Sequence, residues 1–326
     1  MLHHLGYSVY CDAETLSVSS LSERQVILGS IINGMVEGDM RAGNTAYCLG
    51  RDLTDIPECS PTEQVSFETP TSHGKLKTSM SLNLTRDTNR LQGFISAIKR
   101  WPEQTGVIDV GCGPFPILAL AAAIYHPHAE ISAIEMHQEA ANAAEEIVRH
   151  FGLSDRLHVV NADIAHYDID PNASAAITET FNSALQEEPG PKIVRLLDNS
   201  GIPIITPSKA TLRLTLPNGV FTRAVDLRYD THASIDFNGW VYDSDIHKPA
   251  DLKAEYYDDF GLVLAYGTDT ISNGLHFNGW YNLRKAMAKA GNSGQLVYEL
   301  GAHPFTPEVH DVAPTKVNVS SATAGN

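Results

Sequence analysis

Two glutamates nine residues apart are the first feature of this sequence that could do chemistry. Glu179 and Glu188 flank a segment that contains Phe181 and Leu185. A pair of carboxylates can accept the planar N–H fork of a guanidinium, which stays protonated because its pKa lies above about 12. Such a pair would fix one terminal nitrogen toward an electrophile, so catalysis would come from positioning and electrostatics. The same acids could instead be solvated loop residues, and the adjacent Glu187 leaves the position of the second acid open.

A glycine turn after a buried strand is the second such feature. The run Val107-Ile-Asp-Val-Gly-Cys-Gly113 predicts a strand whose terminal glycines let the backbone approach a ligand closely. Glu135 follows 22 residues after Gly113, at the end of the next predicted strand, where a carboxylate can bind both hydroxyls of a ribose. This spacing serves either NAD or S-adenosylmethionine. A dinucleotide site would favour G-x-G-x-x-G and a free helix N-terminus, whereas this turn continues as Pro114 and Phe115.

The turn itself favours S-adenosylmethionine as the cofactor. With Asp109 ahead of Gly111 and Gly113, it resembles the first motif of class I S-adenosylmethionine-dependent methyltransferases. The resemblance implies that Glu135 binds the ribose and that Asp163 lies beside the adenine amino group. Two acidic groups suit a cofactor that carries a sulfonium and an amine but no phosphate.

The segment from Glu179 to Glu188 resembles the double-glutamate hairpin of the protein arginine methyltransferases. Asp87-Thr-Asn-Arg90 is similar to that family's Asp-x-x-Arg helix, in which the arginine pairs with the methionine carboxylate of the cofactor. Ile204–Leu212 is similar to the start of the family's β-barrel, and Leu275–Leu283 to one of its barrel strands. The resemblance covers about residues 80–285. It implies an N-methyltransferase in which Glu179 and Glu188 hold a guanidinium.

Departures from the family bear on the substrate. The family's Thr-His-Trp loop is absent, and His303 is the nearest substitute beside the hairpin. Met80 could correspond to a methionine that lies near the transferred methyl group, but its distance from the Asp-x-x-Arg helix is irregular. The barrel also looks short, ending by about residue 310. These features favour a small guanidino compound such as free L-arginine over an arginine-containing protein.

The hydrophobic patterns around these residues predict an α/β protein. An apolar stripe predicts a helix over Ser20–Gly38, whereas the Gly, Pro, Thr and Ser content of Gly43–Lys77 predicts a loop. Another helix is expected at Arg86–Arg100. Strands then alternate with helices over about residues 105–200, which indicates a parallel, Rossmann-like sheet. Beyond about residue 200, alternating residues and Asn-Gly turns predict antiparallel strands in a partial barrel.

These patterns give four expected regions. They are an N-terminal helical and loop region (1–78), a cofactor-binding domain (79–203), a β-barrel-like substrate and dimerisation domain (204–312) and a flexible tail (313–326).

Composition limits the partners. The chain of 326 residues has 23 Lys and Arg against 39 Asp and Glu, a formal charge of −16, which disfavours nucleic acid and favours cationic substrates. Its longest apolar run, Pro116–Tyr125, is too short to span a bilayer. No basic and apolar leader opens the sequence, so we expect a cytoplasmic protein. The four cysteines form no C-x-x-C pair, which gives no indication of a metal site. The resemblance also implies a homodimer, with Tyr242–Asp259, rich in Asp, Lys and Tyr, as the dimerisation arm.

Three alternatives to a small-guanidine methyltransferase stay open at this level. The chain could be a protein arginine methyltransferase. It could be an O- or C-methyltransferase in which the two glutamates are loop acids. It could also be a silent binding protein, because Phe115 replaces the third glycine of the usual cofactor turn.

Overall fold

The chain forms two compact units. Its computed structural model describes residues 20–54, 56, 81–82, 84–181, 185, 188–216, 219–236, 251–266, 294–301 and 318–321. The first unit contains the described residues up to Glu179 together with Ile202–Thr206, and the second contains Thr180–Gly201 and the described residues from Pro207 onward. Within the described residues, the chain crosses between the units at 179/180, 201/202 and 206/207.

The first unit is built on a five-stranded parallel sheet in the order β3-β2-β1-β4-β5. The strands are β1 (Gly106–Val110), β2 (Glu130–Glu135), β3 (Leu157–Asn161), β4 (Ala175–Thr178) and β5 (Ile204–Thr206). The helices are α1 (Leu21–Val36), α2 (Met40–Thr54), α3 (Thr88–Arg100), α4 (Ile117–Tyr125) and α5 (Gln138–His150), with 3-10 turns at Leu84–Arg86 and Ile164–His166. The α/β fold class and the parallel sheet predicted from the sequence are confirmed.

The sheet brings the ends of β1, β2 and β4 to one edge. Every residue of β4 is buried, as are the last four of β1 and the last three of β2, because helices shield these strands from solvent. In parallel strands the carboxyl ends meet at the same edge, where ligands of open α/β sheets bind. The glycine turn follows β1, Glu135 is the last residue of β2, and Glu179 follows β4.

Helix α1 begins where the sequence predicts a helix. Ser20 and Glu23 form a reciprocal capping box, and the buried stripe includes Leu28, Ile31 and Met35. The guanidinium of Arg24 donates to the carbonyl of His150 at 2.7 Å, so α1 satisfies a terminal carbonyl of α5.

Helix α2 corrects the loop predicted from Gly43 onward, which is wrong for residues 43–54. The small residues that lowered its helix propensity allow close packing instead. A Cβ atom on Gly43 would lie 2.6 Å from the carbonyl oxygen of Thr85, and one on Gly50 would lie 3.0 Å from the ring of Phe115. Tertiary packing outweighs the intrinsic cost of about 1 kcal/mol for each glycine in a helix.

The second unit is rich in antiparallel β structure, as expected. One sheet has the order β10-β9-β6-β7 and the other β12-β11-β8. Its elements are α6 (Gly190–Asn199), β6 (Lys209–Leu216), β7 (Gly219–Asp226), β8 (His232–Asp236), β9 (Asp251–Asp258), β10 (Gly261–Tyr266), β11 (Gly294–Glu299) and β12 (Asn318–Ser321). Strand β12 lies in the segment 313–326 that we expected to be a flexible tail, and it pairs with β11. None of the helices in the described ranges is both long and apolar enough to cross a membrane.

Candidate functional site

The glycine turn after β1 uses its own amide groups inside the protein. Gly111 and Gly113 have φ angles of 76° and 66°, a conformation that favours glycine. The N–H groups of Gly111 and Cys112 donate to the carbonyl of Ile134 at 2.8 and 3.1 Å, and the N–H of Gly113 donates to Glu135 at 3.1 Å. Three successive amides are therefore committed to β2. This arrangement argues against a pyrophosphate at the turn, because a pyrophosphate site needs such amides as donors.

Asp109, the last but one residue of β1, connects this strand to the start of α4. Its side chain is 1% exposed, and its Oδ2 accepts the N–H of Ala119 at 3.0 Å in the first turn of α4. Burial raises the pKa of Asp109 to about 7, against the opposing effect of the Ala119 hydrogen bond, and the charges of Glu135 and Glu179 raise it further. The Asp109 side chain therefore positions the start of α4, and the cofactor contact that the class I motif implies for it stays a prediction.

Glu135 at the end of β2 is held by two backbone donors. Oε2 accepts from Gly113, and Oε1 accepts from the N–H of His137 at 2.8 Å, so the carboxylate fixes the turns after β1 and β2 together. Asn161 adds a second clamp, because its side-chain amide donates to the carbonyls of Glu135 and Met136 at 2.9 and 3.0 Å. Sequence reasoning missed this role of Asn161, although its place at the end of β3 was visible.

Asp163 follows β3 and begins a short 3-10 turn. Its Oδ1 accepts the N–H of Ala165 at 2.9 Å, and Oδ2 lies 3.4 Å from Nδ1 of His166. The side chain is 15% exposed. It thus stands at the same edge of the sheet as Glu135, as its predicted place beside an adenine requires.

Arg90 and Glu179 form a partly buried ion pair at this edge. Asp87 begins α3 as its N-cap and accepts the N–H of Arg90 at 3.2 Å, which explains the Asp-x-x-Arg spacing. The Nη1 of Arg90 donates to Oε1 of Glu179 at 3.1 Å, with the two side chains 11% and 13% exposed. Burial raises the pKa of Glu179, and the charge of Arg90 offsets part of that rise.

The segment from Thr180 to Gly190 belongs to the second unit and is closed by backbone contacts. The N–H of Gly190 donates to the carbonyl of Thr180 at 2.9 Å, and a Cβ atom on Gly190 would lie 2.4 Å from that oxygen. Leu185 is buried with a φ of 59°, and its carbonyl accepts the N–H of Gly301 at 2.7 Å. Glu188 is half-buried just before α6.

Phe115, which replaces the third glycine of the turn, is a core residue. It is 3% exposed and lies where Gly50 leaves room for its ring in α2. The helix that sequence reasoning missed therefore accommodates the departure from the usual motif. The spacing of Ala42, Ala46 and Gly50 at four-residue intervals was the available signal for that helix.

Several sequence predictions fall outside the described residues. They concern Met80, His303, the barrel strand Leu275–Leu283, residues 242–250 of the predicted arm and the choice between Glu187 and Glu188, of which only Glu188 is described.

The donor set of this edge fits S-adenosylmethionine better than a dinucleotide. The charges of Glu135 and Glu179 both raise the pKa of Asp109, and this concentration of carboxyl groups suits a sulfonium. Arg90 supplies one cation, which suits a carboxylate. The N–H groups of the turn already donate to Ile134 and Glu135, so they are not available to bind a phosphate.

The known proteins to which this chain is similar include methyltransferases. No family model matches the chain. The chain is 35% identical over 81 residues to the tRNA1(Val) (adenine(37)-N6)-methyltransferase of two Vibrio cholerae O1 strains, a match to 24% of this chain. It spans about a third of the length of these curated relatives.

Solved structures of protein arginine methyltransferases are among those to which the chain is similar. The PRMT1 enzyme–prozyme heterotetrameric complex of Trypanosoma brucei with AdoHcy is 18% identical with a TM-score of 0.47, covering 63% of this chain and 80% of that one. PRMT6 is 13% identical with a TM-score of 0.47, covering 75% of this chain and 100% of that one. The strand order β3-β2-β1-β4-β5 gives the first unit the Rossmann-like parallel sheet that the sequence predicted.

Proposed function

We propose that this protein is an S-adenosylmethionine-dependent N-methyltransferase that methylates a guanidino group. The observation that carries the proposal is the position of Glu179. It is a largely buried carboxylate directly after β4, coupled to Asp109 beside the glycine turn and already accepting a guanidinium N–H from Arg90. A carboxylate in this environment is suited to bind a second cation, because its charge is poorly solvated.

The cofactor would be held by residues at the edge of the parallel sheet. Glu135 would bind the ribose hydroxyls, Asp163 the adenine amino group and Arg90 the methionine carboxylate, while Gly111 and Gly113 allow close approach of the backbone. When bound, S-adenosylmethionine supplies an electrophilic methyl group on a sulfonium. Asp109 would act through the turn and the start of α4.

Glu179 and Glu188 would hold the substrate guanidinium and orient one terminal nitrogen. Two carboxylates on a planar guanidinium hold its positive charge away from the attacking nitrogen. The hydrogen bonds from Gly190 to Thr180 and from Gly301 to Leu185 support a fixed backbone at these residues of the second unit. Met80 and His303 stay candidate pocket residues from the sequence.

A small guanidino compound, with free L-arginine as the first candidate, is the preferred substrate, and an arginine-containing protein is the alternative. The missing Thr-His-Trp loop supports this preference, and the charge of −16 suits either cation. We also propose a homodimer and a cytoplasmic location.

The similarity to an adenine N6-methyltransferase makes a base in RNA the competing substrate. Enzymes that methylate a base stack it against exposed aromatic side chains. The aromatic residue that follows β4 here, Phe181, is 2% exposed and packs on Tyr256 at a ring distance of 5.0 Å. Together with the negative charge, this disfavours an RNA base.

The deciding experiment offers labelled S-adenosylmethionine with free L-arginine, an arginine-glycine-rich peptide and a tRNA transcript in parallel. Mass spectrometry of the products should show methylation of free arginine, and the peptide as the favoured acceptor would establish the alternative. Cofactor binding without transfer to any guanidino acceptor would refute the proposal.

A further inference from the structure

A cluster of three carboxylates in the first unit has little compensating charge in the described residues. Asp109 lies near Glu135, the last residue of β2, and near Glu179, which follows β4. The charge of each glutamate raises the pKa of Asp109. Arg90, which approaches from α3, is paired with Glu179 and Asp87. The N-terminal half of α4 carries no ionisable side chain, and the turn contributes only the buried thiol of Cys112.

Asp109 is the member of this cluster with the fewest stabilising contacts. Glu135 has two backbone donors and Glu179 has a guanidinium, whereas Asp109 accepts one backbone N–H and is 1% exposed. A buried carboxylate with one neutral donor and two acidic neighbours is the group on which a proton is held most readily. Its pKa of about 7 agrees with that geometry.

We propose that Asp109 holds a proton when the cofactor site is empty and loses it when a cationic cofactor binds, so that the site distinguishes a sulfonium from a neutral thioether. The inference rests on the proposed function, because it assumes that the edge beside Asp109 receives S-adenosylmethionine. A positive charge in the site favours the ionised carboxyl group, and by linkage the ionised carboxyl group favours the positive charge. S-adenosylhomocysteine carries no charge on sulfur, so ionisation of Asp109 does not increase its affinity.

The sign of the pH effect follows from the linkage. Below a pKa of about 7, binding of the cation must remove a proton from Asp109, so the affinity for S-adenosylmethionine rises with pH up to about tenfold per unit. Above that pH the carboxyl group is already ionised, and the dependence disappears. The preference for S-adenosylmethionine over S-adenosylhomocysteine should therefore grow between pH 5.5 and 7.5.

The test is isothermal titration calorimetry of the full chain with both compounds at pH 5.5, 6.5 and 7.5. We expect the affinity for S-adenosylmethionine to rise at least about fivefold across this range and that for S-adenosylhomocysteine to change less than about twofold. Repeating the titration in two buffers with different ionisation enthalpies should show release of nearly one proton near pH 6 with S-adenosylmethionine alone.

Two variants separate Asp109 from other titrating groups, including those of the ligands. Asp109→Asn keeps an acceptor for the Ala119 N–H but cannot ionise, so the rise and the proton release should disappear. Asp258→Asn is the matched control, because Asp258 is also a buried carboxyl group that accepts a backbone N–H, from Phe260 at 2.8 Å, but lies in the second unit. It should behave as the wild type does.

The outcomes distinguish the inference from the proposed function. Tight binding of both compounds with equal pH dependence and no proton release from the wild type would overturn the inference and leave the proposed function standing. If neither compound binds at any pH, both are overturned. The wild-type measurements alone can refute the inference, so the test remains valid even if the Asp109→Asn variant does not fold.

Discussion

Glu179 combines burial, a raised pKa and an ion pair in one side chain. Such a group must be ionised to bind a guanidinium, and its neighbours decide how easily it stays ionised. Its partner Arg90 is therefore both a structural contact and an electrostatic control of the site.

Replacement of either proposed substrate carboxylate tests the function at the residue scale. Glu179→Gln and Glu188→Gln should each lower kcat/KM at least about 100-fold, or about 2.7 kcal/mol, because a neutral amide cannot stabilise a guanidinium charge. Glu145→Gln, at an exposed position of α5, is the control and should leave the kinetics unchanged. A Glu188→Gln variant with wild-type turnover would assign the second role elsewhere, and Glu187→Gln would then be measured.

Arg90 should set the acid limb of the pH profile. The charge of Arg90 lowers the pKa of Glu179, so Arg90→Met should raise that pKa. Activity that needs ionised Glu179 is lost as the pH falls through its pKa, and the acid limb of kcat at saturating cofactor should therefore move to higher pH. Arg90→Lys retains a positive charge and should shift the limb less. Identical acid limbs in Arg90→Met and wild type would show that Glu179 does not control it.

Helix α2 connects the N-terminal region to the cofactor edge through close backbone contacts. Gly43 approaches the carbonyl of Thr85, just ahead of α3, and Gly50 leaves room for Phe115. Small residues in this helix therefore determine where α3 and the glycine turn lie.

A methyl group on Gly43 should disturb this packing. In Gly43→Ala the new Cβ would lie 2.6 Å from backbone and 2.8 Å from Thr88, so overpacking of about 1–3 kcal/mol should exceed the gain in helix propensity. We expect a lower Tm in thermal unfolding. Gly29→Ala in α1 is the matched control: nothing lies within 4 Å of its Cβ, so its Tm should rise. Equal increases in Tm for both variants would contradict the packing described here.

The elements with regular hydrophobic patterns were predictable, and those shaped by close packing were not. The sequence predicted α1, α3, α5 and the central strands because their apolar periodicity is set by burial on one or two faces. It failed for α2 because glycines weaken helix propensity unless a partner makes their small size useful. It likewise located Asp109 in a buried strand but not its hydrogen bond to Ala119, which depends on the packing of α4 against β1.

The whole chain carries a charge of −16, which should influence how a cationic substrate arrives. Long-range attraction is screened by salt, with a Debye length of about 10 Å at 0.1 M. The KM for L-arginine should therefore rise several-fold between 0.02 and 0.5 M NaCl, whereas kcat should change little. A salt-independent KM would show that the acidic surface serves solubility alone.

The path of the chain between the two units limits how the molecule can be recombined. Helix α6 belongs to the second unit, but β5, which follows it, completes the sheet of the first, and β6 returns to the second. A chimaera with a homologue joined once at 179/180 would take β5 from the foreign parent, and one joined once at 206/207 would keep the native α6. Over the described residues, exchange of the second unit between homologues therefore requires three junctions, with Ile202–Thr206 kept from the parent that supplies the first unit.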